Sequence, residues 1–358
     1  MVQTKQDMPS HVVTTGTQSY QCHIERGILA RVAEHLPAKA GKVFIVTTED
    51  VWRLHGGAMG FAHELVYFPG GEPNKRLSVL EAMADQMLER GADRTSVIVA
   101  FGGGIVGDVG GFLASAFMRG IAVIQVPTTL LAQVDASIGG KTGVNLAGGK
   151  NLMGAFHQPL AVLIDPTVLT TLPEREYRSG LFEVVKYGII RSPELFRLLA
   201  EESDKVLGQE PEAVDYIVSE SVRIKAEVVS ADEKEGGLRR ILNYGHTLGH
   251  AMEAETRYER LLHGEAVGYG MNAAAYLAER LGVLGKAEAE EMRRVTNLYG
   301  PWPGVGDVSA EALTAHTLKD KKTIQGTTHF VLAERVGAVR VVSGIGAADV
   351  MAAAAAAL

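Results

Sequence analysis

The apolar positions change period part-way along the chain. In the first half they fall in short runs rich in Val and Ile: residues 41–47 (GKVFIVT), 65–68, 96–101 (SVIVAF), 121–126 and 162–164. Runs of this length, closed by glycine, proline or acidic residues, read as buried strands. Residues 11–24 alternate apolar and polar around Gly16-Thr17, the pattern of a hairpin. Between the strand runs, 77–90 and 108–118 carry helical spacing, and a helix is expected after Thr48, Glu49 and Asp50. Strands alternating with helices through glycine-rich turns predict a parallel α/β sheet. From about residue 174 to 318 the periods are helical and β-branched runs almost vanish. Residues 330–332 and 339–342 suit a small late hairpin, and the alanine-rich tail at 351–358 favours helix by propensity. The expectation is a Rossmann-like α/β domain over 1–172 and a helical domain over 173–358.

A length of 358 residues suits two domains rather than one. The net charge of −7 offers no attraction to nucleic acid or an anionic membrane. The single cysteine, Cys22, excludes an intramolecular disulfide and a thiolate cage, so any metal must use His, Asp and Glu. Residues 1–10 are polar with no apolar core, unlike a signal peptide, and no apolar run reaches membrane-spanning length. A cytoplasmic enzyme or binding protein is the expectation.

The chemistry concentrates in a few stretches. Gly102 to Gly107 matches G-x-G-x-x-G after a strand and at the start of a helix, where backbone can approach a pyrophosphate and the helix N-terminus favours its charge. It is not on the first strand, and Pro127 stands where a ribose-binding acid is usual. The acids at a strand end are Glu49 and Asp50, so ribose contacts are expected there. In the glycine-rich stretch 135–154, Gly140-Lys141-Thr142 imitates the end of a phosphate-binding P-loop, but Asp135 occupies the position that needs glycine, which excludes that reading. What remains is a loop presenting Asp135, Lys141, Lys150 and Asn151, suited to an oxyanion-bearing small molecule or to a surface connection.

His246 and His250 share a helix face at i, i+4, and His263 opens a further segment. Glu183 and Lys186 are i, i+3 among apolar neighbours, and a carboxylate buried there needs a partner or a metal. Glu183, His246 and His263 would make a three-ligand site with an open position, the pattern of a catalytic zinc. If the segment is helical, Asn243 stands one turn from both Arg239 and His246. Arg239 and Lys225 suit a carboxylate or phosphate, and Lys319, Lys321 and Lys322 form a late basic cluster.

The segments GGGIVGD (102–108), VPTTLLAQVDASIGGKTGVN (126–145), GKNLMGAFHQP (149–159), LPEREYRSGLFEVVKYG (172–188), NYGHTLGH (243–250) and LHGEAV (262–267) together resemble the 3-dehydroquinate synthase family. The resemblance spans nearly the whole chain and is weakest before Thr47 and after Leu332. It implies an N-terminal NAD-binding α/β domain, a helical metal-binding domain, an active site in the cleft between them, and a homodimer. The implied reaction turns 3-deoxy-D-arabino-heptulosonate 7-phosphate into 3-dehydroquinate and phosphate, in the shikimate pathway. It uses catalytic NAD and zinc or cobalt, through transient oxidation, phosphate elimination, re-reduction and aldol closure.

The motif matches imply Glu183, His246 and His263 as metal ligands. They imply Glu72, Lys75, Gly104, Ile105, Val106, Gly107, Asp108, Thr128, Thr129 and Thr171 as NAD contacts, with Asp50 on the ribose and Lys141 and Lys150 near cofactor and substrate alike. Asp135, Lys141, Lys186, Asn243 and His250 fall on catalytic positions, His250 as proton relay. Asn151, Lys225 and Arg239 fall on substrate positions, Arg119 on an arginine lent to the neighbouring subunit's phosphate site, and Lys321 or Lys322 on a lysine near that phosphate. Rival expectations are another sugar-phosphate cyclase, a metal-dependent polyol dehydrogenase that would release NADH, and a non-catalytic NAD-binding protein.

Overall fold

The structure is a computed structural model, described for residues 10–16, 18–319 and 328–358. By its internal contacts the chain forms two compact units. The first runs to Pro173 and takes in Val218–Glu233; the second holds Glu174–Ile217 and Lys234–Leu358. The linear division expected at 172/173 has no place for residues 218–233, which sit in a helical stretch yet count with the first unit.

The first unit is built on a seven-stranded sheet. Its strands are β1 (His11–Thr14), β2 (Ser19–Ile24), β3 (Val43–Thr47), β4 (Glu64–Tyr67), β5 (Val97–Gly102), β6 (Ala122–Pro127) and, after two strands described below, β9 (Ala161–Ile164). The spatial order is β1-β2-β9-β6-β5-β3-β4. Only the β1–β2 pair is antiparallel; every other pairing is parallel, with Val43 opposite Val97 and Val97 opposite Ala122. Alternate residues of one strand enter two cores, as a sheet covered on both faces requires. Phe44 and Val46 pack with Leu80, Met83 and Leu113 from helices α2 (Leu77–Glu89) and α3 (Gly104–Ala116). Val43 and Ile45 pack on the other face with Ile28 and Val32, with Trp52 of α1 (Glu49–His55) partly buried against them.

The chain passes from β3 outward to β4, then returns to β5 on the other side of β3 and continues through β6 to β9. The direction of winding therefore reverses between β3 and β5. In open α/β sheets the crevice outside the strand ends at such a reversal is where ligands bind. The ends concerned are Thr47 and Gly102, followed by Thr48–Asp50 and the glycine-rich turn.

The stretch 135–154, expected as a loop, is ordered. A π-helical turn at Ala132–Ala136 leads into an antiparallel pair, β7 (Lys141–Leu146) and β8 (Gly149–Phe156). Gly154 is what lets the two strands meet, since a Cβ there would lie 1.9 Å from the Thr142 carbonyl oxygen.

The second unit is mainly helical: α4 (Glu174–Ile190), α5 (Pro193–Glu201), α6 (Ser203–Leu207), the first part of α7 (Pro211–Ala231), α8 (His246–Glu255), α9 (His263–Arg280), α10 (Lys286–Leu298) and α11 (Ala310–Lys319). The late hairpin is present as β10 (His329–Arg335) with β11 (Ala338–Ser343), and the alanine-rich tail is α12 (Ala347–Ala357). Helix α9 is the axis: its residues 264–275 are all buried. Two of its glycines permit this. A Cβ on Gly264 would lie 1.8 Å from the Ser179 carbonyl oxygen of α4, and one on Gly270 would lie 1.8 Å from the Gly245 carbonyl oxygen. Among the described residues no helix is long and apolar enough to cross a membrane.

Candidate active site

In the second unit the close approach of α9 to its neighbours brings three side chains together. Glu183 of α4 is fully buried, and its Oε1 lies 3.4 Å from His246 Nε2 and 3.5 Å from His263 Nε2. One ligand atom from each of the three lies within 4.8 Å of the others. His246 opens α8 and His263 opens α9, so both project from first helical turns. The register of α9 against α4 is pinned by Glu265, which is buried. Glu265 accepts both from Arg175 Nε at 2.7 Å and Nη2 at 2.8 Å, and from the Leu262 amide at 2.7 Å. Lys186, one turn along α4, is 1% exposed and ion-paired to Glu183 Oε2.

The donor set suits a borderline divalent cation. His246 Nδ1 donates to the Tyr244 carbonyl at 3.1 Å, which leaves the Nε2 lone pair facing Glu183. Burial pushes the His246 imidazole down to about 3, so it stays neutral, the form that ligates. Burial also disfavours a charged His263, but Glu183 and Glu253 outweigh it and raise the ring to about 10. A metal would take the place of that proton. Two imidazoles and a carboxylate with an open fourth position fit zinc or cobalt. His250, on the exposed side of α8, has its ring centroid 5.4 Å from His246 and 6.1 Å from His263.

In the first unit the glycine-rich turn has the expected context. Gly104, Ile105, Val106, Gly107 and Asp108 form the first turn of α3, and no side chain caps that helix. Thr128 and Thr129 follow β6 beside it: the Thr128 amide donates to the Gly102 carbonyl at 2.9 Å, and a Cβ on Gly103 would lie 3.0 Å from Thr129 Cγ2. A bare turn with an open helix N-terminus fits a pyrophosphate. Beside it, past the ends of β3 and β4, an open cavity is lined by Thr48, Glu49, Asp50, Trp52, Tyr67 and Gly70. Asp50 is held below its usual range, chiefly by a hydrogen bond from Thr48.

Two family models match adjoining stretches of the chain: 3-dehydroquinate synthase N-terminal over residues 65–179 and 3-dehydroquinate synthase C-terminal over 180–323. The chain is 58% identical over 344 residues to the 3-dehydroquinate synthase of Solibacter usitatus (strain Ellin6076), covering 94% of this chain and 96% of that one. It belongs to the 3-dehydroquinate synthase family. A second family member, from Koribacter versatilis (strain Ellin345), is 47% identical, with 92% of each chain covered. Among solved structures, 2-epi-5-epi-valiolone synthase from Streptomyces hygroscopicus subsp. jinggangensis 5008, with NAD+ and Zn2+ bound, matches with a TM-score of 0.88 at 28% identity, covering 95% of this chain and 97% of that one.

The residues matched to 3-dehydroquinate synthase motifs fall into clusters and isolated positions. Lys75 is 3% exposed and donates to Asp108 Oδ2 and to Asn151 Oδ1, both at 2.5 Å. Asn151, at φ +55°, donates its backbone amide to Asn145 Oδ1 at 2.8 Å, and Asn145 Nδ2 donates to Glu72 Oε1 at 2.7 Å. Lys150 Nζ lies 3.8 Å from the same Glu72 oxygen. Burial raises the Asp108 carboxyl even beside Lys75. Asp135 is ion-paired to Lys225 at 2.7 Å. Lys141 is exposed at the start of β7, Arg119 is exposed at the end of a 3-10 turn, and Thr171 lies apart from this network, 2.8 Å from His55 Nε2. Arg239 is buried. Lys321 and Lys322 lie outside the described residues.

The helical link expected between Asn243 and His246 is absent. Residues Leu238–Asn243 form a 3-10 turn, Gly245 sits at φ +78°, and α8 begins only at His246. Asn243 instead donates to Glu235 Oε1 at 2.6 Å. Asn145, Glu235, Glu253 and Glu265 were not singled out by sequence. Each is an ordinary polar residue whose partner lies far along the chain or across a turn, so no spacing betrays it.

Proposed function

We propose that this protein converts 3-deoxy-D-arabino-heptulosonate 7-phosphate to 3-dehydroquinate and phosphate, as a cytoplasmic homodimer. The observation that carries the reading is the convergence of Glu183, His246 and His263, in a chain whose relatives at 58% and 47% identity are 3-dehydroquinate synthases. Glu183, His246 and His263 would hold a divalent metal, zinc or cobalt. The first turn of α3, with Thr128, Thr129 and the Thr48–Asp50 cavity, would hold NAD. When bound, the two supply a Lewis acid for the substrate's hydroxyls and a transient hydride acceptor.

The chain's own residues bind, orient and move protons. His250, one turn from His246 and exposed, is placed to relay a proton at the reacting hydroxyl. Lys186, buried beside Glu183, gives a hydroxyl a fixed ammonium donor in a low-dielectric setting. Asp135, already paired with Lys225, offers a carboxylate to a second hydroxyl. Arg239 and Lys225 are the cations assigned to the substrate carboxylate, and Lys141, Asn151 and Arg119 of the neighbouring copy those assigned to its phosphate. Asn243 orients polar groups through Glu235.

A second reading rests on the 28% identical valiolone synthase, since another sugar-phosphate cyclase would share both cofactors. Phosphate release from the heptulosonate phosphate, measured with NAD+ and zinc while NADH absorbance is followed, separates the readings. Dehydroquinate formed with no net NADH, lost on chelation and restored by zinc or cobalt, is the expected result. Stoichiometric NADH would sink the cyclase cycle, and no turnover by protein holding metal and NAD+ would move the assignment to another sugar phosphate. Light scattering tests the dimer.

A further inference from the structure

We infer that Glu253 is a positioning residue that aims His263 at the metal site, an inference resting on the reading of Glu183, His246 and His263 as ligands. Glu253 lies two turns after His246 on α8 and is 5% exposed. Its Oε2 is 3.5 Å from His263 Nδ1, while the Nε2 of the same ring is 3.5 Å from Glu183 Oε1. The His263 imidazole is therefore bracketed by two buried carboxylates, one at each nitrogen.

The ring has two tautomers, and only one leaves a lone pair toward Glu183. An acceptor at Nδ1 keeps the proton there and presents Nε2 to the cation; a charged acceptor also makes Nε2 more basic. The same task at His246 falls to the main chain, through the Tyr244 carbonyl. The two imidazoles thus have their far nitrogens held by unlike groups, and only the one at His263 can be removed by mutation. Burial of Glu253 agrees with this role, because a carboxylate taken out of water needs a compensating donor.

One alternative is built into the geometry. Ligand atoms of His250, Glu253 and His263 also lie within 4.8 Å of one another, so Glu253 can be imagined as a ligand itself.

Zinc affinity, measured by competition with a chelator, decides the matter for wild type, Glu253→Gln, Glu253→Met and Glu183→Gln, together with the melting temperature of each apoprotein and the visible spectrum of each cobalt form. Removal of an outer partner of a ligating histidine weakens metal binding by about 10–100-fold. Glu253→Gln keeps a neutral acceptor and is expected near the lower end of that range, and Glu253→Met near the upper. The apoprotein melting temperature of Glu253→Gln should be unchanged and its saturated cobalt spectrum should resemble wild type, while Glu183→Gln binds no zinc. Wild-type affinity in both Glu253 variants, with Glu183→Gln empty, overturns the positioning role and leaves the ligand reading standing. Wild-type affinity in Glu183→Gln overturns the ligand reading; if the Glu253 variants are then empty, the cation sits on His250, Glu253 and His263. A Glu253→Gln apoprotein that melts lower, with affinity intact, assigns Glu253 to packing instead. Should Glu253→Met fail to fold, the near-isosteric Gln variant carries the test.

Discussion

In the first unit, buried charges come matched: the Lys75 ammonium meets Asp108, and Lys225 meets Asp135. In the second, Glu183 faces two imidazoles and the Lys186 ammonium at once. One of those imidazoles, His246, is held neutral by burial. The contrast separates two ways of preparing a site. Matched pairs are stable without a ligand, so an incoming polar molecule must exchange partners with them, and removing one member strands the other in low dielectric. Converging lone pairs gain most when a cation arrives, and their arrangement depends on how closely the helices carrying them approach. Disturbing the first region should therefore read out mainly as lost stability, and disturbing the approach of helices in the second should read out in both stability and metal binding.

The sharpest test of that contrast is Gly264→Ala. The added Cβ meets the Ser179 carbonyl oxygen at 1.8 Å, a backbone atom that cannot swing aside. Overpacking of this kind is expected to cost at least about 3 kcal/mol in denaturant unfolding. Zinc affinity should fall with it, because His263 is displaced with the start of α9. The matched control is Gly285→Ala, where nothing lies within 4 Å; as an exchange of one helix N-cap for a poorer one it should cost only about 0.5–1 kcal/mol. Equal midpoints for the two variants would mean that close approach of α9 is not what builds the site.

A smaller effect, confined to the other region, is expected from Asp135→Asn. Lys225 has a side chain 8% exposed and loses the charge of Asp135, so the variant should be destabilised by up to about 3 kcal/mol, the lower end for breaking a buried pair. Its zinc affinity should match wild type. A fall in zinc affinity without a fall in stability would reverse the assignment of the two regions.

The smallest effect is expected at the surface. Arg260 and Asp307 form an exposed pair, Nη2 to Oδ2 at 2.8 Å, and solvent and salt screen such a pair. Asp307→Asn should leave both the unfolding midpoint and zinc affinity unchanged, at low and at high salt. A clear midpoint shift there would show that charge matching stabilises this protein at the surface as well as in the interior.

Much of this architecture was legible before any coordinates. The strand runs at 41–47, 96–101 and 121–126 announced themselves because strands buried on both faces are nearly continuous in apolar residues. Gly102 to Gly107 could be placed because a strand precedes it and a helix follows, a purely local condition. Glu183 beside Lys186 was conspicuous because charges among Phe182, Val184 and Val185 are costly unless used. The stretch 135–154 was misread as a loop: six glycines in twenty residues suggest mobility, but here Gly143 and Gly154 permit a tight strand pair. The helical link from Asn243 to His246 failed at Gly245, whose left-handed backbone starts a new helix in a new direction.

The sequence by itself determined the elements and the donor chemistry, because strand and helix periods are local and because a chain with one cysteine must bind metal through imidazole and carboxylate. Only the tertiary structure decided which polar residues meet. Glu265 meets Arg175 across ninety residues, Asn145 reaches Glu72 across 73, and residues 218–233 return to the first unit. Those pairings depend on helix approach distances set by single glycines such as Gly264 and Gly270, and an approach distance has no period along the chain from which it can be read.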